Sequence, residues 1–359
     1  MAQPFRLGAI VNWTAKFEIP MPSLSASQAV WPAMLRTFRY GFRPFSCRTF
    51  LKLAAIAVIS EGVMVNARFW IPDLFSFNIS KFDFTTLLPP ETIFFTILEA
   101  GLIILLSFIV FYVFVHLRFV FFHCVAHETK RVGPVWELYR VPAMRFFRAT
   151  LLFWLTVAGL TTLVLGGFIS VAITVFKLRT PEGKFDPGVF LMTFLPCMGF
   201  TFLVCLGAAI AHIVMVDFIL PQMALEELTF REAWNSVKVR IRKNGETFFS
   251  YFILRLGLPL IIGIIFALAA WLLGRMVFGS LEMFAVAFNS ILEDATGALA
   301  FCRIAIDVLV ELLAIGFGLL ISLGLGGPLA TWIRNYAILF YAGHYRVLAD
   351  ALNQSPCGR

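Results

Sequence analysis

The stretch HLRFVFFHCVAHE, residues 116–128, carries three of the chain's five histidines. His116, His123 and His127 stand at i, i+7 and i+11, which places their side chains within about 40° of one another on a helix. Two imidazoles at i and i+4 can share one metal ion, so His123 and His127 are the candidate ligands. His116 lies about 10.5 Å further along the axis, too far to join them on that ion. Ligating a haem, or a relay from the histidines to Glu128, is the other chemistry this face can do. Against both stands an interfacial reading: Arg118 and Lys130 flank the stretch, and polar aromatic rings suit a membrane boundary. We therefore expect no bound metal and no cofactor.

Two carboxylates sit inside apolar runs, Glu61 and Glu99. A carboxylate in hydrocarbon is costly unless it is paired, protonated or facing water, so both are candidates for coupling to an ion or proton. The same residues can instead bond between packed helices. Asp217 and Arg255 are expected to pair structurally near the inner surface. No Walker loop, GxSxG elbow, HExxH or GxGxxG opening is present. The glycine-rich LGLGGP, residues 323–328, lies in an apolar run, where close helix packing is the usual reason.

Such residues must be held by membrane-spanning elements. The 359 residues are 60% hydrophobic and 14% charged, whereas soluble domains hold about 45–50% apolar and 25% charged residues. The excess cannot be hidden in a soluble core of this size. No cleaved targeting segment is evident in the first 28 residues. The six cysteines form no CxxC pair, so neither a zinc site nor a disulfide framework is expected.

Six apolar stretches are long enough to cross a bilayer, near 50–68, 93–119, 150–176, 189–217, 248–276 and 306–333. A kinked continuation at Gly326, Gly327 and Pro328 follows the sixth. Lys and Arg number 21 in the N-terminal segment, the even connections and the C-terminus, against seven in the odd connections. That bias predicts both termini in the cytoplasm. The net charge of +8 then gathers on the inner face, where anionic phospholipid attracts it. No nucleic-acid partner is expected.

Three inner segments share a pattern: VWPAMLRTFRYGFRPFSCRTF from Val30, VWELYRVPAMRFFRATLLF from Val135 and AWNSVKVRIRKNGETFFSYF from Ala233. Trp31, Trp136 and Trp234 are 105 and 98 residues apart, close to one helical hairpin with its loops. The ends of the even spans, RFVFFHCVAHE, DFILPQMALEE and AILFYAGHYRV, extend the match. This predicts an all-α polytopic bundle with amphipathic interfacial helices on the cytoplasmic side and a threefold hairpin repeat, in units near 29–128, 134–227 and 230–346. Residues 1–28 form an N-terminal cytoplasmic segment, 29–346 a single transmembrane domain, and 347–359 a tail. Thr229 and Glu232 form a capping box at the start of the third interfacial helix. In the first, Trp31, Phe38 and Phe42 alternate with Arg36, Arg39 and Arg43. Trp31 is expected in the acyl boundary and the three arginines at lipid phosphates.

The stretch VDFILPQMALEELTFREAWNSVKVRIRKNGETFFSYFILRLGL resembles the superfamily that includes the membrane domain of glycerophosphodiester phosphodiesterases. Pro221, Glu226 or Glu227, Thr229, Glu232–Ala233 and Lys243–Asn244–Gly245 carry the likeness, over about 45 residues. The resemblance implies a membrane scaffold of the bacterial cytoplasmic membrane. It brings no enzyme, because no histidine is followed by the Arg of the catalytic motif and no soluble domain follows residue 346. The expected function is non-enzymatic: a scaffold or accessory subunit binding anionic phospholipid, another membrane subunit or a second copy. The alternative is a transporter or channel for a small solute, lipid or ion working through Glu61 and Glu99.

Overall fold

The computed structural model describes residues 25–42, 46–61, 90–179, 187–291 and 298–353. All described secondary structure is helical, with no strand among the described residues. In chain order the helices are α1 (Val30–Phe42), α2 (Cys47–Glu61), α3 (Pro90–Ala126), α4 (Gly133–Leu138), α5 (Arg140–Arg179) and α6 (Pro187–Ile213). A π-helical segment, Val214–Ile219, leads into α7 (Leu220–Leu225). There follow α8 (Phe230–Lys243), α9 (Gly245–Ile291), α10 (Ala298–Ala342) and α11 (Arg346–Asn353).

Five stretches are long and apolar enough to cross a bilayer: Ile97–Ala126, Arg140–Val171, Phe194–Leu225, Gly245–Ile291 and Ile304–Ala342. Of the stretch expected at 50–68, residues up to Glu61 form α2, and the remainder lies outside the described residues. Two helices exceed expectation. The 47 residues of α9 give about 70 Å of helix, more than twice the roughly 30 Å of hydrocarbon. Much of the connection expected between the fifth and sixth spans is therefore helix. There the Asn289 amide donates to the Asp307 carboxylate across α9 and α10 at 3.0 Å.

Local chemistry explains the helix starts. Proline lies at or next to the first residue of α4 and α7, and it opens α3 and α6, where its missing N–H costs nothing. The capping box of α8 forms as its sequence requires. The Glu232 carboxylate accepts from the Thr229 N–H at 2.9 Å, and the Thr229 hydroxyl accepts from the Glu232 N–H. The Thr229 N–H, and the Thr229 hydroxyl donating at 2.8 Å, hold the exposed Glu232 carboxyl below the usual carboxylate range. Pro328 does not break α10, which runs continuously past it.

Burial is densest at one end. Residues from Val115 in α3, Ile213 before the π segment and Leu329 in α10 are buried against one another down to the helix ends. At the other end every residue from 97 through 110 is exposed. Apolar side chains there require a hydrocarbon surrounding. The aromatic rings of Phe218, Phe248, Tyr251 and Phe340 fill the packed end at centroid separations of 4.3 to 6.3 Å.

The short helices lie on this packed end. α1 buries Ala33, Thr37 and Tyr40, and Asn335 of α10 donates to the Thr37 hydroxyl at 2.9 Å. α8 buries Ala233 and Val237, while its Arg240 donates to the Tyr341 hydroxyl at 2.9 Å and lies 4.6 Å from the Tyr345 ring. Residues 347–353, expected as tail, belong to the packed body. The i, i+1, i+4 pattern of Leu348, Ala349 and Leu352 gives α11 one apolar face, which is buried.

Candidate functional site

A buried ionic centre joins α2, the π segment, α9 and α10. The Asp217 carboxylate accepts from the Arg255 Nε at 2.9 Å and from the Tyr251 hydroxyl at 2.8 Å. Arg334 ion-pairs with Glu61 and approaches Asp217 at 3.6 Å, and Arg255 approaches Glu61 at 3.6 Å. The side chains of Asp217 and Arg334 are wholly buried, Glu61 is 5% exposed and Arg255 13%. Arg334 also donates to the Val216 carbonyl at 3.1 Å. Arg118 donates through Nε to the Ser60 carbonyl at 2.8 Å and lies within electrostatic reach of Glu61, Asp217 and Arg334.

The sequence folds this way because each charge lies in a largely apolar stretch of its helix. In hydrocarbon such groups must find one another. Depth is shared as well. Arg118, Asp217 and Arg334 each stand eight residues before the ends of α3, α7 and α10 at Ala126, Leu225 and Ala342. Eight residues are about 12 Å of helix, so the three charges meet at one level. The π segment carries Asp217. Its extra residue per turn rotates the carboxylate relative to a regular helix, the kind of local irregularity that aims a functional side chain.

The expected pairing of Asp217 with Arg255 is present, and it is part of something larger. Among the described residues Glu61 faces packed helices and two guanidiniums. Glu99 is exposed on α3 and does not join the centre. The charge count had treated Arg118 and Arg334 as inner-surface residues. Arg334 is 1% exposed, and Arg118 bonds inward, because each lies within an apolar helix two turns before its end. A basic residue with apolar neighbours on both sides was the signal available in sequence.

The histidines separate into two environments. His116 is buried and stacks on Trp136 with centroids 3.9 Å apart and planes 2° from parallel. Its Nε2 donates to the Trp136 carbonyl at 2.8 Å, and its Nδ1 meets the Tyr112 hydroxyl at 3.3 Å. It thereby fastens α4 to α3. His123 and His127 stack with centroids 4.2 Å apart. The Nδ1 of His123 meets the Tyr139 hydroxyl at 2.9 Å, and the Nδ1 of His127 donates to the His123 carbonyl at 3.2 Å. Burial holds the His127 imidazole below its ordinary range. The bond to the carbonyl opposes this, and the Arg36 charge adds to it. Among the described residues no group of three or more His, Cys, Asp and Glu side chains converges as a metal site would.

The arginine stripe of α1 is divided. Arg36 turns inward, where it donates to the Val125 and Ala126 carbonyls at 3.0 Å and to the Glu128 carboxylate at 3.1 Å. It thus caps α3, whose last carbonyls have no intrahelical donor. The chain then turns through Glu128 at φ 53, and α7 is followed in the same way by Glu227 at φ 55. Arg39 is exposed beside Trp31, Leu35 and Phe38, which are 61%, 46% and 55% exposed. Arg43 lies outside the described residues.

A family model described as a family of unknown function, DUF7544, matches residues 24–350. No curated protein and no solved structure matches the chain.

Proposed function

We propose that this chain, which belongs to that family of unknown function, is a non-enzymatic scaffold or accessory subunit of the bacterial cytoplasmic membrane. It holds anionic phospholipid and a membrane partner on its inner face. The observation that carries this reading is the ionic centre. Glu61, the best-placed intramembrane carboxylate for coupling to a solute, is ion-paired to Arg334 and Arg255 between packed helices. Transport coupling needs such a carboxylate to face water, whereas a scaffold needs it to lock helices together.

Six spans with both termini cytoplasmic follow if α2 continues across the bilayer. The excess of Lys and Arg on that side supports the orientation. The order short helix, long helix, long helix occurs from α4 and from α8, and α1 is followed by α2, of which 15 residues are described, and the long α3, which supports three repeated units with interfacial helices on the cytoplasmic side. The level shared by Arg118, Asp217 and Arg334 suggests that the third unit matches the others from Arg334, three residues before Ala337, where the sequence pattern had begun it. This layout also fits the resemblance to the phosphodiesterase membrane domain. Single cysteines placed at Ser80 and Lys184 on a cysteine-free background should react only from the outside. Reaction from the cytoplasmic side would reverse the orientation.

In this reading the exposed Trp31, Leu35 and Phe38 enter the acyl boundary, and Arg39 and Arg43 meet lipid phosphates. Each basic group contributes about 1 kcal/mol near an anionic surface, screened by salt. Purification in mild detergent followed by native mass spectrometry tests it. Phosphatidylglycerol or cardiolipin, or a co-purifying subunit, should accompany the protein, and Arg39→Gln with Arg43→Gln should reduce the lipid. Solute flux in liposomes that depends on Glu61, with neither lipid nor subunit retained, would replace the scaffold by a transporter.

A further inference from the structure

Among the described residues of the ionic centre positive charge exceeds negative. Three guanidiniums, Arg118, Arg255 and Arg334, meet two carboxylates, Glu61 and Asp217. Both carboxylates are engaged by Arg255 and Arg334. Among the described residues no carboxylate lies within ion-pair distance of Arg118, whose Nε is held by the Ser60 carbonyl. Arginine cannot shed its proton to become neutral, and a buried charge without a counterion is strongly unfavourable. Two further groups mark the same place. Among the described residues the buried Nε of Arg334 and the buried Nδ1 of His212 have no hydrogen-bond partner, nor have Glu61 Oε1 and Asp217 Oδ1, and His212 lies within electrostatic reach of all three arginines.

The centre also stands where dense burial gives way to exposed surface in α3 and in much of α9. In α3 the buried residues begin at Val115, one turn before Arg118. In α9 Tyr251 is wholly buried, whereas Arg255 one turn later is partly exposed. Beyond this level come the exposed residues 97–110 of α3, apolar but for Glu99 and Ser107, and, in α9, exposed Leu260, Ile261, Ile264 and Ile265. A surplus guanidinium thus lies directly below apolar surface that hydrocarbon must cover. The complementary molecule has one anionic head and acyl chains.

We propose that an anionic phospholipid binds here, its phosphodiester against Arg118 at the edge of the ionic centre and its acyl chains along the exposed apolar halves of α3 and α9. The guanidinium fork suits two phosphate oxygens. The proposal rests on the lipid-binding reading above but assigns a second, intramembrane site distinct from the α1 stripe. Surface contacts are screened by salt, and this partly buried one is screened much less.

The test uses full-length protein in micelles, washed at high salt and analysed by native mass spectrometry. Wild type and the Arg39→Gln, Arg43→Gln variant should both keep phosphatidylglycerol. Arg118→Gln should bind it about tenfold more weakly, the change expected from losing one charge-assisted contact, and Arg118→Lys should keep most of it. Equal retention by Arg118→Gln and wild type, or none by wild type, overturns the proposal whatever becomes of the α1 stripe. If Arg118→Gln fails to fold, wild type alone decides. Its melting temperature in phosphatidylcholine micelles should rise on adding phosphatidylglycerol. An equal rise with inorganic phosphate would assign the site to a free anion and overturn the lipid.

Discussion

Asp217→Asn is expected to destabilise the protein more than any other single polar substitution, by about 3–5 kcal/mol. The carboxylate receives Arg255 and Tyr251 at 2.9 and 2.8 Å and faces Arg334 at 3.6 Å. Asn keeps the shape and one acceptor oxygen but removes the charge. Three buried guanidiniums then share Glu61 alone. Unfolding by a denaturing detergent in mixed micelles, followed by circular dichroism, measures the loss. Coupling provides the control: adding Arg255→Gln to Asp217→Asn should cost less than the two single losses combined, because the second change removes a charge the first left without its partner. A loss below about 1 kcal/mol, or simple additivity, would mean that the carboxylate is not ionised in the centre.

Gly327→Val should disrupt the seam between α2 and α10. A Cβ at Gly327 would collide with the Ala54 Cβ and stand 2.9 Å from the Ala54 Cα. The second contact is backbone, so no side-chain rotation relieves it, and α2 must move away. Overpacking of this kind costs about 1–3 kcal/mol. The movement also withdraws Glu61, at the end of α2, from Arg334. Gly324→Ala one turn earlier is the matched comparison: a Cβ there meets nothing within 4 Å, so helix propensity alone should make the change neutral or stabilising by up to about 1 kcal/mol. Thermal unfolding of the two variants in the same detergent distinguishes packing from propensity. Equal behaviour would show that the close approach is not maintained. Ala54→Gly should restore part of the loss in Gly327→Val, since it removes the Cβ clash and leaves the backbone one.

Much of the frame was legible in sequence because its causes are local. Apolar runs of span length are additive over neighbours, so five of the expected crossings coincide with long apolar helices. The capping box at Thr229 and Glu232 depends on residues three apart and forms as read. The glycine-rich run before Pro328 was attributed to close helix contact, and Gly327 against Ala54 is such a contact. The lengths of α9 and α10 were underestimated because hydropathy marks the part inside lipid, whereas a helix continues for as long as its backbone bonds do.

The site was legible only in its parts. Glu61, Asp217 and Arg255 were singled out because each is a charge in an apolar helix. Arg334 and Arg118 have the same signature, but a count of basic residues by connection assigns them to the surface. Arg36 shows the opposite difficulty. Its position on a regular stripe with Arg39 and Arg43 predicts a shared role, yet it caps α3 through the Val125 and Ala126 carbonyls.

By itself, then, the amino-acid order determined that the chain is helical and membrane-like, where most helices begin, and which residues cannot rest in hydrocarbon without a partner. Those properties follow from side-chain transfer and from contacts within a turn or two. The pairing of Asp217 with Arg255 was expected, but tertiary structure alone decided the other partners: Glu61 with Arg334, Asp217 with Tyr251, His116 with Trp136, Arg36 with the end of α3. Partner choice depends on the level and rotation at which distant helices pack, and no spacing along one helix encodes the rotation of another.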